Sequence, residues 1–267
     1  MAVPGSLRNL AMPFLLLAAS AAPQRAAAAW EPSPGFAVAS KAPIVWRGFT
    51  KERLVALTFD DGPDPRFTPE ILTILHRYGA HATFFVVGRN VRRWPELLRA
   101  EIAAGHEIGN HTYDHPELHK LSRAQVDKEI ESCDVLVFEV AGVVPHFFRP
   151  PYERLSLAII QSAWAHGKQV VLAGLALEHH EARTPQEMAA RVAAHVRPGT
   201  VILAHDGRLD RSATVAALPL LLSELEARGY RFVTLGELLG SKGRRKREGP
   251  PLRPPAGQEL RPSIWVR

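Results

Sequence analysis

Between residues 50 and 240, short apolar runs alternate with helix start and stop signals, and this rhythm restricts the possible folds more than any single motif. Strand-like runs occur at Leu54-Val55-Ala56-Leu57, Val170-Val171-Leu172, Val201-Ile202-Leu203-Ala204 and Tyr230-Arg231-Phe232-Val233-Thr234. Thr68 with Pro69 opens a helix that closes near Gly79, and Pro95 opens another that closes near Gly105. Proline suits a first helical turn and glycine the residue past the last. Ser122 with Gln125 and Thr184 with Glu187 have capping-box spacing, and their helices are expected to stop near Gly142 and Gly199. A further helix, about Ala213 to Arg228, is closed by Gly229. Alternating units of this kind build an α/β domain around a mainly parallel sheet with crossover helices.

Asp60 and Asp61 end the first run, in Thr58-Phe59-Asp60-Asp61-Gly62-Pro63, and His111 and His115 follow about fifty residues later. Neighbouring strand residues point to opposite sides. Two adjacent aspartates at a strand end can therefore divide the work, one as an oxygen donor to a metal and one as a proton acceptor. Histidines four apart lie on one side of a helical turn. Each signal has a plain alternative. Asp61-Gly62-Pro63-Asp64-Pro65 also suits an ordinary polar turn. With twelve histidines in 267 residues, roughly half a pair of this spacing is expected by chance, and His115 with His119 forms a second.

The order of segments is more specific. Ala82-Thr83-Phe84-Phe85-Val86-Val87-Gly88, Gly105-His106-Glu107-Ile108-Gly109-Asn110-His111-Thr112-Tyr113-Asp114-His115-Pro116, Phe148-Arg149-Pro150-Pro151-Tyr152 and Val201-Ile202-Leu203-Ala204-His205-Asp206 follow the aspartates in turn. Together they resemble the polysaccharide deacetylases, carbohydrate esterase family four with its nodulation-type chitooligosaccharide deacetylase domain, over roughly residues 50 to 240. The resemblance implies a single domain folded as a distorted, incomplete (β/α) barrel of mainly parallel strands. It also implies roles. Asp61, His111 and His115 match the ligands of one divalent metal, usually zinc, with cobalt or another divalent ion as alternatives, and Asp60 matches the base that deprotonates the attacking water. Two imidazoles and one carboxylate leave coordination positions open, as a catalytic zinc site requires. Arg149 matches the arginine that holds the catalytic aspartate, the Tyr152 N–H a donor to the tetrahedral oxyanion, and His205 the acid that protonates the departing amine. Leu203 matches the apolar residue lining the acetyl pocket, and Pro151 lies in the substrate-binding segment before Tyr152. Without the resemblance, His205 reads as a core histidine ending an apolar strand and Arg149 as a surface loop residue.

Two stretches depart from the family pattern. After Val170-Val171-Leu172 the family has a tryptophan and then an Asp-Trp pair whose carboxylate supports the general-acid histidine. Here the stretch is Ala173-Gly174-Leu175-Ala176-Leu177-Glu178-His179-His180-Glu181, with His179 and His180 in the places of that pair. Lacking a carboxylate neighbour, His205 would be a weaker acid. Glu178 or Glu181 can substitute if the loop bends toward it, and His179 and His180 read as surface residues rather than added ligands. Glu153 stands where the family has glycine, which suggests a different turn, because a side chain disfavours positive φ.

The chain ends read differently. In residues 1–29, Arg8 precedes an apolar stretch from Leu10 to Ala22, and Ala27-Ala28-Ala29 precede Trp30, the form of a signal peptide cleaved after Ala29 and too short for a confident membrane span, with an uncleaved signal anchor as the alternative. Residues 30–49 form an N-terminal extension. Residues 241–267 hold eight Lys or Arg against two Glu, a surplus equal to the formal net charge of +6 of the whole chain. Five prolines and three glycines in the same stretch make it a disordered tail. It is suited to anionic envelope polymers, or it is merely solvated. Cys133 is the only cysteine, so no internal disulfide forms, and it reads as a buried thiol within a helix. No aromatic-interleaved basic surface suggests nucleic acid.

These readings describe an exported monomer, secreted or held in the periplasm or cell envelope. Its expected activity is metal-dependent removal of acetyl groups from N-acetylated sugars of a peptidoglycan or chitin-like glycan. Two alternatives stand: an O-acetyl (acetylxylan-type) esterase, and a catalytically weakened glycan-binding protein on the same fold. Whether Glu178 or Glu181 reaches His205 bears on the second.

Overall fold

A computed structural model describes residues 44–240; the expected signal peptide, most of the N-terminal extension and the basic tail lie outside the described residues. Nine strands occur in this span: β1 (Ile44–Val45), β2 (Leu54–Asp60), β3 (Ala82–Val86), β4 (Glu107–Asn110), β5 (Phe147–Phe148), β6 (Gln169–Val171), β7 (Leu175–Ala176), β8 (Val201–His205) and β9 (Arg231–Phe232). Eight run in the order β1-β6-β5-β4-β3-β2-β8-β7, and β9 pairs with the start of β2. Every pair is parallel, as strand–helix alternation requires. β1 and β7 end the order without pairing to each other, so the barrel is incomplete, as expected.

The crossover helices are α1 (Thr68–Arg77), α2 (Gly88–Arg93), α3 (Pro95–Ala103), α4 (Arg123–Ala141), α5 (Leu157–Ala165), α6 (Pro185–His195) and α7 (Ser212–Ala227), and α8 (Leu235–Leu238) follows the last strand. Both expected capping boxes are made, at Ser122 with Gln125 and at Thr184 with Glu187. Gly142 closes α4 at φ 69, a left-handed conformation that costs glycine little. α6 stops at His195, short of Gly199, because Pro198 disfavours helical backbone in the residue before it.

Alternation along the strands sets two faces. Val55, Leu57 and Phe59 on β2, Phe84 and Val86 on β3, and Ile202 and Ala204 on β8 pack into the layer between sheet and helices. Ala56, Phe85 and Val201 belong to a separate cluster on the inner face. Thr58 and Asp60 therefore share the face of Ala56, and Leu203 and His205 that of Val201. β2 and β8 are in register with Asp60 beside His205. Each fully buried outer side chain contributes about 1.5–3 kcal/mol. A one-residue slip would exchange the apolar set for the polar one, so packing of the outer layer fixes the positions of the inner residues. Cys133 is buried in α4, where burial pushes its thiol pKa up, consistent with an inert packing role. Among the described residues no helix is long and apolar enough to cross a membrane.

Candidate active site

Asp60 is the last residue of β2, and Asp61 turns out of the strand at φ 77. Strand alternation alone would separate the two carboxylates. The left-handed turn instead brings both to one imidazole, with Asp60 Oδ2 and Asp61 Oδ1 each 3.7 Å from His111 Nε2. Gly62 permits the close packing behind this turn, since a Cβ there would stand 2.2 Å from Asp206 Oδ2.

His111 follows β4 directly, and its Nδ1 lies 2.7 Å from the Arg149 carbonyl. A ring N–H donated to that carbonyl leaves the lone pair on Nε2, the atom nearest both aspartates. The spacing of His111 and His115 does not reflect a helix: residues 111–117 form a loop in which Thr112 and His115 have φ of 69 and 59. The His115 N–H donates to Thr112 Oγ1 at 3.0 Å, its ring stands 4.9 Å from that of His111, and its Nε2 is 3.1 Å from Asp61 Oδ1. Asn110 anchors the loop. Its Oδ1 accepts the Thr112 N–H at 2.8 Å and its Nδ2 donates to Asp134 Oδ1 at 2.9 Å, while Asp134 is paired with the buried Lys168.

Asp61, His111 and His115 are all buried, with one donor atom of each within 4.8 Å of the others. Asp61 Oδ1 is shielded from solvent yet accepts no hydrogen bond, whereas Oδ2 receives Arg211 Nη2 at 3.4 Å. An orphaned carboxylate oxygen beside two imidazole nitrogens fits a divalent ion of the zinc type. Burial raises the Asp61 carboxyl, but contact with His115 and the charge of His111 outweigh it and hold the pKa down at about 2. Burial also lowers the His111 imidazole against the pull of Asp60 and Asp61. Both groups are thereby kept in the deprotonated forms that bind metal.

Asp60 is held from the other side, its Oδ1 receiving Arg149 Nη1 at 2.7 Å. Arg149 is fully buried, donates to Thr58 Oγ1 at 2.9 Å, and places its guanidinium carbon 4.2 Å from the centre of the Phe85 ring. It is not a surface loop residue. Pro151 is buried at the start of a short 3₁₀ turn, Pro151–Glu153, in which Tyr152 has φ 61. The Tyr152 N–H makes no hydrogen bond among the described residues, and its ring packs 4.9 Å from that of His115. Leu203 lies on the inner face in register with Thr58 and is buried.

A family model described as polysaccharide deacetylase matches residues 47–171. A peptidoglycan-N-acetylglucosamine deacetylase of Bacillus cereus is 39% identical over 201 residues, covering 74% of this chain and 94% of that protein. The chain belongs to the polysaccharide deacetylase family. A chitooligosaccharide deacetylase of a Bradyrhizobium species is 34% identical over 206 residues, 70% of this chain and 90% of that one. The crystal structure of the Bc1960 peptidoglycan N-acetylglucosamine deacetylase matches with a TM-score of 0.73 at 32% identity, covering 77% of this chain and 96% of that one.

The departures from the polysaccharide deacetylase pattern resolve in different ways. Glu178 Oε2 is 3.2 Å from His205 Nδ1, and Oε1 accepts both the His205 N–H at 3.1 Å and the Thr214 hydroxyl at 2.6 Å. Burial alone would lower the His205 pKa, but the hydrogen bond and charge of Glu178 outweigh it, and the net shift is upward. His179 and His180 form a surface turn, their side chains 31% and 82% exposed, and Glu181 points outward beside them. Glu153 adopts the glycine-type backbone after all, at φ 51, contrary to the different turn its side chain suggested. Its Oε1 accepts the Ala173 N–H at 2.6 Å, a bond that offsets the backbone cost.

Other residues at this site carry no spacing signal in the sequence. Arg208 Nη1 is 2.6 Å from His115 Nδ1, 2.9 Å from its Nε2, and 3.8 Å from Asp61 Oδ1. A neutral imidazole has one ring lone pair, so only one of these contacts can be a hydrogen bond. Asp206 is fully buried and accepts the Thr68 hydroxyl at 2.6 Å. Burial, reinforced by Asp61 and Asp60 and opposed by Thr68, pushes its carboxyl up to about 7. Asp61, Thr112, His115, Tyr152, Glu153 and Arg208 are the six non-glycine described residues with positive φ, and all border this site.

Proposed function

We propose that this chain removes acetyl groups from N-acetylated sugars of a cell-wall glycan, peptidoglycan or a chitin-like polymer, with one divalent metal, zinc, held by Asp61, His111 and His115. The observation that supports it is the convergence of these three side chains, Asp61 from the turn after β2 and both histidines from the loop after β4, beside a fourth, Asp60, whose Oδ1 is held by Arg149. Hydrolysis of an acetamide needs an activated water, a stabilised oxyanion and a proton for the leaving nitrogen. A divalent ion in the triad supplies Lewis acidity toward the acetyl carbonyl. Asp60 takes the proton of the attacking water, and its bond to Arg149 fixes the carboxylate in place. The unbonded Tyr152 N–H faces the developing oxyanion. His205, engaged at Nδ1 by Glu178, gives its proton to the departing amine from the other ring nitrogen. Leu203 and Pro151 line the acetyl side of the cavity.

The same atoms would serve an O-acetyl ester. The reading as a weakened binding protein is less well supported, because a carboxylate does reach His205. Acetate release from chitooligosaccharides and from peptidoglycan, with added zinc or cobalt, tests the proposal. Loss of release on Asp60→Asn is expected, by about a hundredfold or more. Glycan binding without acetate release, unchanged by Asp60→Asn, would make the chain a binding module instead.

The proposal includes an exported monomer. It rests on the N-terminal segment around Arg8 and Leu10–Ala22, with cleavage before Trp30. Cell fractionation and the N-terminal sequence of the mature protein test it, and a cytoplasmic, uncleaved product would overturn it. Deletion after Gly240 should weaken salt-sensitive attachment to envelopes and spare turnover of small substrates.

A further inference from the structure

A concavity of about 410 Å³ adjoins the Asp61, His111 and His115 triad. Arg66, Arg89, Arg93 and Arg208 line it against a single acidic residue, Asp64, and Trp94 forms one side. Arg66 is 3.3 Å from Asp64 and Arg208 is 3.8 Å from Asp61, which leaves Arg89 and Arg93 without an acidic counterpart among the described residues. Arg93 lies over the Trp94 ring, and the Arg89 side chain has no partner among the described residues. Arg89 and Arg93 are one helical turn apart on α2 and so face the same way. The division between pocket and triad is one side chain thick. Asn90, in the pocket wall, donates to the Asp61 carbonyl at 2.8 Å, and Arg208 touches both the pocket and His115.

We infer that this pocket is a subsite for a carboxylate carried by the sugar next to the one being deacetylated, which makes an anionic glycan the preferred substrate over a neutral N-acetylglucosamine oligomer. The inference rests on the function proposed above and narrows its substrate. Like charges gathered in a concave wall repel one another, and an entering anion relieves that repulsion; a neutral sugar does not. The guanidinium fork matches a carboxylate with two parallel hydrogen bonds. Of the two proposed polymers, only peptidoglycan carries such groups. Every second sugar bears a lactyl ether ending in a carboxyl, either free or extended by a peptide with carboxylates of its own.

Calorimetric titration of the full chain separates these cases. The ligands are neutral tetra-N-acetylglucosamine, the alternating tetrasaccharide with free lactyl carboxylates, its lactyl amide, and its peptide-extended form. The free-carboxylate or peptide-extended ligand should bind about tenfold more tightly than the neutral oligomer and the amide, and added salt should erase the difference. A preference for the first places the recognised group on the lactyl ether, and for the second on the peptide. R89Q/R93Q should lose that factor while binding the neutral oligomer as before. Equal binding of all four ligands, or an equal loss on the neutral oligomer, would overturn the inference. Acetate release is read in parallel. Its absence from every ligand would remove the deacetylase reading, while the affinities would still decide whether the pocket takes a carboxylate.

Discussion

Glu178 Oε2 sits 3.2 Å from His205 Nδ1, and the opposite oxygen of the same carboxylate fixes the His205 backbone. The carboxylate that the family supplies as aspartate thus arrives from the residue before the expected position, on a side chain one methylene longer. Its effect on His205 can be measured.

Replacing Glu178 with glutamine removes the charge that raises the His205 pKa and keeps most of the shape. The proposed role of His205 as an acid requires its protonated form, so in the wild type the alkaline fall of kcat/KM should lie above the ordinary imidazole value of 6.5. In Glu178→Gln that fall moves to lower pH, and turnover at neutral pH drops by about tenfold. The pH–rate profile reads both. An alkaline limb that stays in place would show that Glu178 does not act through His205.

The triad is tested by metal content. His111→Ala and His115→Ala should each yield protein that no longer retains a stoichiometric divalent ion after dialysis, with circular dichroism unchanged. Elemental analysis of the purified variants gives the answer. Undiminished metal in either variant would remove that histidine from the ligand set.

Asp134 supports the histidine loop from inside the fold. It pairs with buried Lys168 and accepts from Asn110, which holds Thr112. Asp134→Ala leaves the ammonium group without its counter-charge and should cost about 3–5 kcal/mol in urea unfolding. A loss under about 1 kcal/mol would mean that water readily replaces the carboxylate.

Asp206 gives stability a distinctive pH dependence. Folded, it keeps its proton up to about pH 7, against an ordinary value of 3.8. The folded state therefore holds more protons than the unfolded state across that window, and stability falls as pH rises through it. Glu101, buried without a hydrogen-bond partner and also raised, by burial and by the charge of Asp206, acts in the same direction. Calorimetric melts of the metal-free protein between pH 5 and 8 should show a declining Tm for wild type and a flatter profile for Asp206→Asn. Parallel profiles would refute the assignment.

Much of this molecule is legible in the sequence, because strand–helix alternation and capping residues act locally. The boundaries at Ser122, Gly142 and Thr184 follow from side chains bonding within a few residues. The inner face follows from period two once the apolar outer face is known. The loops are less legible. His111 and His115 were expected on one side of a helical turn, yet they meet through a loop with two left-handed residues, which spacing does not encode. Glu153 reads as incompatible with a glycine turn until its bond to Ala173 is seen. Arg208 and Arg211 reach Asp61 across about 150 residues of chain, a proximity created by β2 and β8 lying side by side.

Those left-handed residues have a further consequence. Each holds a conformation that an isolated peptide abandons, at a cost of about 1 kcal/mol or more, so the cavity rim keeps its form only while the sheet beneath it stays rigid. Gentle warming should slacken the aim of the two imidazoles before any helix melts, and turnover should fade at temperatures where circular dichroism still reports an intact protein.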